Sequence, residues 1–82
     1  MPNFADWCVL SRADCSLCET MLMELCERLG ETAASQIQVR DIDGEVELER
    51  RFGQRVPVLL IDDEVVCCYR LQMERLQPYL TD

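Results

Sequence analysis

Cys15-Ser16-Leu17-Cys18 places two thiols three residues apart, after a short apolar run and before a helical pattern. A cysteine at the first turn of a helix faces solvent. Unsatisfied backbone N–H groups and the helix dipole there stabilise its thiolate, the nucleophilic form. The second thiol lies one turn along, within reach of a mixed disulfide formed on the first. Such a pair can make, break or relay disulfides by exchange. Cys15 is the expected attacking thiol and Cys18 the resolving one. Arg12 favours the Cys15 thiolate, whereas Asp14 and Glu19 oppose it. The blander reading is a structural pair, or coincidence in a cysteine-rich chain. The strand-to-helix junction favours redox chemistry over both.

The elements that must hold this pair follow from the apolar spacing. Residues 5–11 form an apolar run read as a buried strand. A helix opens at Asp14 or Cys15 and reaches about Leu29, with Cys18, Met21, Leu22, Leu25 and Leu29 on one face. Gly30 is placed to end it. Residues 36–42 alternate, which predicts a half-exposed strand. A short helix runs from Asp43-Gly44 to Phe52, stopped by Gly53. Residues 56–61 form a third strand with Pro57 at its start. Asp62-Asp63 turns into a hairpin partner over Glu64–Cys68. The last helix starts near Leu71, carries Met73, Leu76 and Leu80, and frays at Pro78. The order is β-α-β-α-β-β-α, which predicts a three-layer α/β domain over residues 1–82.

Composition narrows the function classes. The 82 residues carry 16 acidic side chains against eight arginines, with no His, for a net charge of −8. Nucleic-acid binding needs clustered cations, and those here are few and scattered. An anionic membrane surface is disfavoured on the same ground, and no segment approaches the ~20 apolar residues of a span. Of the six cysteines, Cys8, Cys26, Cys67 and Cys68 fall in apolar segments, unlike a secreted disulfide scaffold. The opening Met1-Pro2-Asn3-Phe4-Ala5-Asp6 has neither a basic start nor an apolar run. A cytoplasmic protein with mostly reduced thiols is expected. Cys67 and Cys68 are adjacent in a strand, so they point to opposite faces and read as free thiols, one buried and one partly exposed. Cys8 and Cys26 read as core, as do Trp7 and Tyr79. Arg50, Arg51 and Arg55 read as a solvated cluster, and Arg12 beside Asp14 as a surface ion pair. Structural zinc needs four ligands, and one cysteine pair without His does not supply them. A Cu(I) carrier would also use paired thiolates, but the closing helix and the lack of Met before the pair argue against it.

The Cys15–Cys18 pair, the Arg55-Val56-Pro57-Val58-Leu59 segment and the element order together resemble the glutaredoxins of the thioredoxin superfamily. Asp41-Ile42-Asp43, Glu47-Leu48 and Arg51-Phe52-Gly53-Gln54-Arg55-Val56-Pro57 are most similar to the short glutaredoxin-like proteins of bacteria and plants. The resemblance implies a four-stranded mixed sheet in order 2-1-3-4, strand three antiparallel to strand one, with helices on both faces. It also implies a cis Val56–Pro57 peptide beside the cysteine pair, and a Val56 backbone free to pair with an extended disulfide substrate. Arg12 stands where that family places a basic residue for a glutathione carboxylate. Arg55 replaces the usual Thr. The family's Gly-Gly and following acids, which clamp the glutamyl end, fall on Val66-Cys67 and Tyr69-Arg70. Leu17 is expected to be exposed beside the thiol, where a protein surface could be the substrate.

The leading expectation is therefore a thiol–disulfide oxidoreductase cycling Cys15 and Cys18, with Arg12, Leu17, Val56 and Pro57 meeting substrate. No resident cofactor is expected, glutathione being the possible reductant. The partner is a disulfide-containing protein or glutathione, and neither nucleic acid nor a membrane. The alternative is a redox-inactive interaction module of the same fold.

Overall fold

The structure is a computed structural model and describes residues 3–80; the opening Met1-Pro2 lies outside them. Four strands share one sheet: β1 (Trp7–Ser11), β2 (Gln38–Asp41), β3 (Val58–Ile61) and β4 (Glu64–Cys68). Their order is β2-β1-β3-β4. β2 runs parallel to β1, whereas β3 is antiparallel to both β1 and β4. This is the mixed sheet that the resemblance implies. Four helices accompany it: α1 (Ser16–Leu29), α2 (Glu31–Gln36), α3 (Val46–Phe52) and α4 (Met73–Leu80).

Alternation along the strands divides the core into two layers. Trp7, Val9, Leu59, Ile61 and Cys67 point to one face and meet Met21 and Leu25 of α1 and Leu76 of α4. Leu10 and Val58 point to the other, where Ile42 and Phe52 close the second cluster and Leu48 packs against it. The helices therefore lie on both faces. Seven of the largest side chains, Trp7, Leu10, Met21, Leu25, Ile42, Leu59 and Leu76, are almost fully enclosed. Each such aliphatic side chain contributes roughly 1.5–3 kcal/mol of transfer free energy.

Local sequence sets the ends of these elements. Cys15 caps α1 at its N-terminus, and Gly30 closes it at φ 92°, a left-handed value that favours glycine. The β3–β4 hairpin turns on Asp62 and Asp63, with φ of 51° and 66°. Both central residues at positive φ, in a two-residue connection, match the right-handed twist of the strands. Asp tolerates that region because its short side chain bonds locally.

Several expectations need correction. The apolar run from residue 5 begins as a 3-10 turn over Phe4–Asp6, capped by Asn3, and extends only from Trp7. A second helix, α2, follows Gly30 at once. Its sequence Glu31–Gln36 buries no residue, so no apolar stripe announces it. β2 is exposed throughout, Val39 included, where a half-exposed strand is expected. Finally, α4 starts at Met73 and continues through Pro78 to Leu80. Pro78 sits in the last turn, where one lost backbone bond is tolerable. Cys8, Cys26 and Tyr79 are half-buried and not enclosed, Cys8 and Tyr79 packing against the core from its margin, while Trp7 is enclosed.

Candidate functional site

At one end of the sheet the C-terminal end of β1, the N-terminal end of β3 and the C-terminal end of β4 come together. The registers Leu10↔Val58 and Val58↔Cys68 bring them level. From β1 the chain passes through Arg12, Ala13 and Asp14, the last at φ 55°, and enters α1 at Cys15. The Cys15 Sγ accepts a hydrogen bond from the Cys18 N–H at 3.2 Å. Its carbonyl accepts from the Glu19 N–H. The sulfurs of Cys15 and Cys18 are bonded to each other, with their Cα atoms 5.2 Å apart. Cys15 is half-exposed and Cys18 is buried. An outer sulfur that incoming groups can reach and an inner one that they cannot is the division that attack and resolution require.

The fourteen-residue α1 is long enough to present a full N-terminal dipole to that outer sulfur. Glu19 in its first turn and the exposed Asp14 act in the opposite direction.

Pro57 is buried, half-buried Val56 precedes it, and the peptide between them is cis. The Pro57 carbonyl accepts from the Tyr69 N–H at 2.9 Å, which ties the end of β4 to this corner. Tyr69 itself sits at φ 70°, an unusual conformation for a bulky residue. Leu17, between the two cysteines, is 42% exposed.

Arg12 is engaged elsewhere than beside Asp14. Its Nε donates to Asp43 Oδ1 at 2.7 Å, one terminal nitrogen to the Gly53 carbonyl at 3.1 Å, and the other to Glu49 Oε1 at 3.4 Å. The second Asp43 oxygen accepts from the Ala13 N–H at 3.3 Å. The loop before Cys15 is thus braced against the β2–α3 loop and both ends of α3. Asp43 is held below the ordinary carboxylate range by its bond to Arg12 and by the Ala13 N–H. No sequence signal announces this brace, whose bonds join residues 30 to 41 positions apart. Gly53 belongs to it as well, since a Cβ there would collide with the Glu49 carbonyl.

The other four cysteines are free. Cys67 is buried among the α1 and α4 side chains, whereas half-buried Cys68 packs on the α3 side. Burial pushes the thiols of Cys8 and Cys67 above their ordinary range. Among the described residues, no three Cys, Asp or Glu side chains converge as a metal site, and no helix is long and apolar enough to cross a membrane. Arg50 and Arg51 are solvated, Arg50 pairing with Glu47 and Arg51 lying over the Phe52 ring. Arg55 is exposed. The arrangement as a whole fits a thiol redox role.

Comparison with known proteins bears on the family. Protein Ne2328 from Nitrosomonas europaea, solved in solution by NMR, is 32% identical in sequence and superposes with a TM-score of 0.80. The match covers 99% of this chain and 94% of that one. The shared architecture is a thioredoxin-like α/β fold. No curated protein matches the chain. The family model described as "Glutaredoxin-like domain (DUF836)" matches residues 8–81, and the chain belongs to that family.

Proposed function

We propose that the protein is a thiol–disulfide oxidoreductase working through Cys15 and Cys18. The Cys15 thiolate attacks one sulfur of a substrate disulfide, forms a mixed disulfide and releases the first substrate thiolate, which takes up a proton. The Cys18 thiol gives up its proton and attacks the Cys15 sulfur, forming the Cys15–Cys18 disulfide and releasing the second substrate thiol. Two electrons pass from protein to substrate. Two further thiols, from glutathione or from a protein dithiol, return the pair to its reduced state. Val56 and Pro57 would align the substrate backbone beside Cys15. Four free cysteines elsewhere in the chain fit a reducing compartment such as the cytoplasm.

One observation carries this reading: the half-exposed Cys15 sulfur caps α1 and accepts the Cys18 N–H, while Cys18 is buried behind it. The test is the reduction potential of the pair in glutathione buffers, with the Cys15 pKa measured in Cys18→Ser. A potential between about −270 and −120 mV and a pKa below the free-cysteine value of ~8.5 are expected. A pair that stays reduced, or a Cys15 of ordinary acidity, would sink it.

The acids Asp14 and Glu19 beside Cys15 favour a second reading, an interaction module that no longer exchanges disulfides. On that reading Cys15→Ser keeps its binding partner. Loss of the partner in Cys15→Ser would exclude it.

A further inference from the structure

A groove of about 230 Å³ runs beside the cysteine pair, lined by Leu17, Thr20, Met21, Glu24, Tyr69 and Arg70. The four residues from α1 are spaced at three and four, so they form one stripe of that helix. The stripe begins inside the C-x-x-C at Leu17 and ends at Glu24. Buried Met21 floors it, and the exposed side chains of Leu17 and Tyr69 flank it. Tyr69 is held there at φ 70° by its N–H bond to the Pro57 carbonyl. Strained, exposed aromatic residues next to reactive groups are a mark of binding surfaces.

Length and charge define what fits. From Leu17 to Glu24 the stripe covers about 10 Å of helix axis at 1.5 Å per residue. An extended chain at about 3.3 Å per residue fills that with three residues on one side of its half-cystine. Glutathione has one residue on each side of its cysteine, too short to reach the far end. Glu24, the one acid among the groove's lining residues, stands at the far end of this path. Arg70, on the opposite wall, has donors for the carbonyls of extended backbone. Arg12 directs three of its five donors to Asp43, Glu49 and Gly53, which leaves it less able to receive a small ligand's carboxylate.

We propose that the groove receives an extended polypeptide segment flanking the substrate disulfide, with an apolar side chain against Leu17 and Tyr69 and a Lys or Arg at Glu24. This rests on the oxidoreductase reading and names its substrate class. In the step concerned, the reduced Cys15–Cys18 pair gives two electrons to the peptide disulfide, which leaves as two thiols while the pair closes to its own disulfide.

Single-turnover oxidation of the pre-reduced protein tests this without any added reductant. The substrates are bis(2-hydroxyethyl) disulfide, glutathione disulfide and two peptide disulfides that differ only by Lys or Glu three residues from the half-cystine. The Lys peptide should react about fivefold faster than the Glu peptide, the size expected of one exposed charge contact made or reversed. That preference should collapse at high salt and in Glu24→Gln. Tyr69→Ser should lower the rate for the Lys peptide relative to bis(2-hydroxyethyl) disulfide. Equal rates for the two peptides, or glutathione disulfide outpacing the Lys peptide, would overturn the groove's role while leaving the oxidoreductase standing. Failure to oxidise even with bis(2-hydroxyethyl) disulfide would overturn both.

Discussion

Two pairs of cysteines in this chain are close in sequence and opposite in character. Cys15 and Cys18 span the first turn of α1, where helical geometry puts their Cα atoms 5.2 Å apart and their sulfurs in bonding contact. Cys67 and Cys68 are adjacent on β4, where the pleat sends one sulfur into the α1–α4 layer and the other toward α3. Proximity along the chain therefore says little about reactivity. The first pair gains a helix N-terminus and an exposed outer sulfur; the second gains only burial. Cys67 behaves as a small apolar side chain whose thiol lies 3.8 Å from the Gln72 carbonyl.

The largest test of this contrast is functional. Cys15→Ser should lower disulfide turnover by at least about 100-fold, since a hydroxyl at neutral pH is a far weaker nucleophile than a thiolate. Cys67→Ser and Cys68→Ser should turn over the same disulfide at rates close to that of the parent. Steady-state assays on the three variants decide it, and a comparable loss in Cys68→Ser would erase the distinction between the pairs.

The second pair should reveal itself in stability. Cys67→Ser puts a hydroxyl into a site only 2% exposed and should cost about 1–3 kcal/mol. Cys68→Ser, half-buried, should cost less. Urea unfolding of both variants, with the Cys15–Cys18 disulfide kept intact, measures the difference. Equal costs would mean that the two faces of β4 are not as differently enclosed as they look.

How much of this could be read from residues alone depends on the range of the interactions. The Cys15–Cys18 pair at a helix start, the apolar stripe of α1 and the Asp62-Asp63 turn are local patterns, and each holds in the structure. Helix α2 was invisible because Glu31–Gln36 buries nothing; it exists where Gly30 lets the chain restart. Pro78 signals an end that the last turn of α4 absorbs. Arg12 is the instructive case. The family resemblance implies Arg12 as a receptor for a glutathione carboxylate, and in the structure its guanidinium also meets Asp43 and Glu49 from within the fold. No local rule anticipates partners 31 and 37 residues away. The left-handed Tyr69 escaped for the same reason, since its anchor is the carbonyl of Pro57.

A smaller effect separates the pairs by rate. In the reduced protein at neutral pH, iodoacetamide should label Cys15 at least about tenfold faster than Cys67, because one unit of thiol pKa changes the thiolate fraction tenfold. Burial raises the Cys67 thiol above its ordinary range, so its neutral form stabilises the fold fully below the unfolded value of ~8.5. That contribution is lost as pH rises through the higher folded value. Cys67→Ala should accordingly show a shallower loss of stability above pH 8.5 than the parent, by urea titration. Labelling of Cys67 ahead of Cys15 would reverse the ranking of the two pairs.

The smallest effect concerns the brace that only the first pair has. Arg12 and the Ala13 N–H hold the two oxygens of Asp43, so the loop entering Cys15 is fixed from outside the helix. Both side chains of the ion pair remain more than a third exposed, which keeps its contribution modest. Because the folded Asp43 carboxyl lies below its ordinary range, its contribution is complete above the unfolded value of ~3.9. It disappears as pH falls through the lower folded value. Asp43→Asn should therefore be slightly less stable than the parent at pH 7, and the two should converge as pH falls through that lower folded value. The same variant loosens the approach to Cys15 and not that to Cys67, so its Cys15–Cys18 reduction potential should move while the Cys67 labelling rate stays put. An unchanged potential would mean that α1 alone positions the reactive pair.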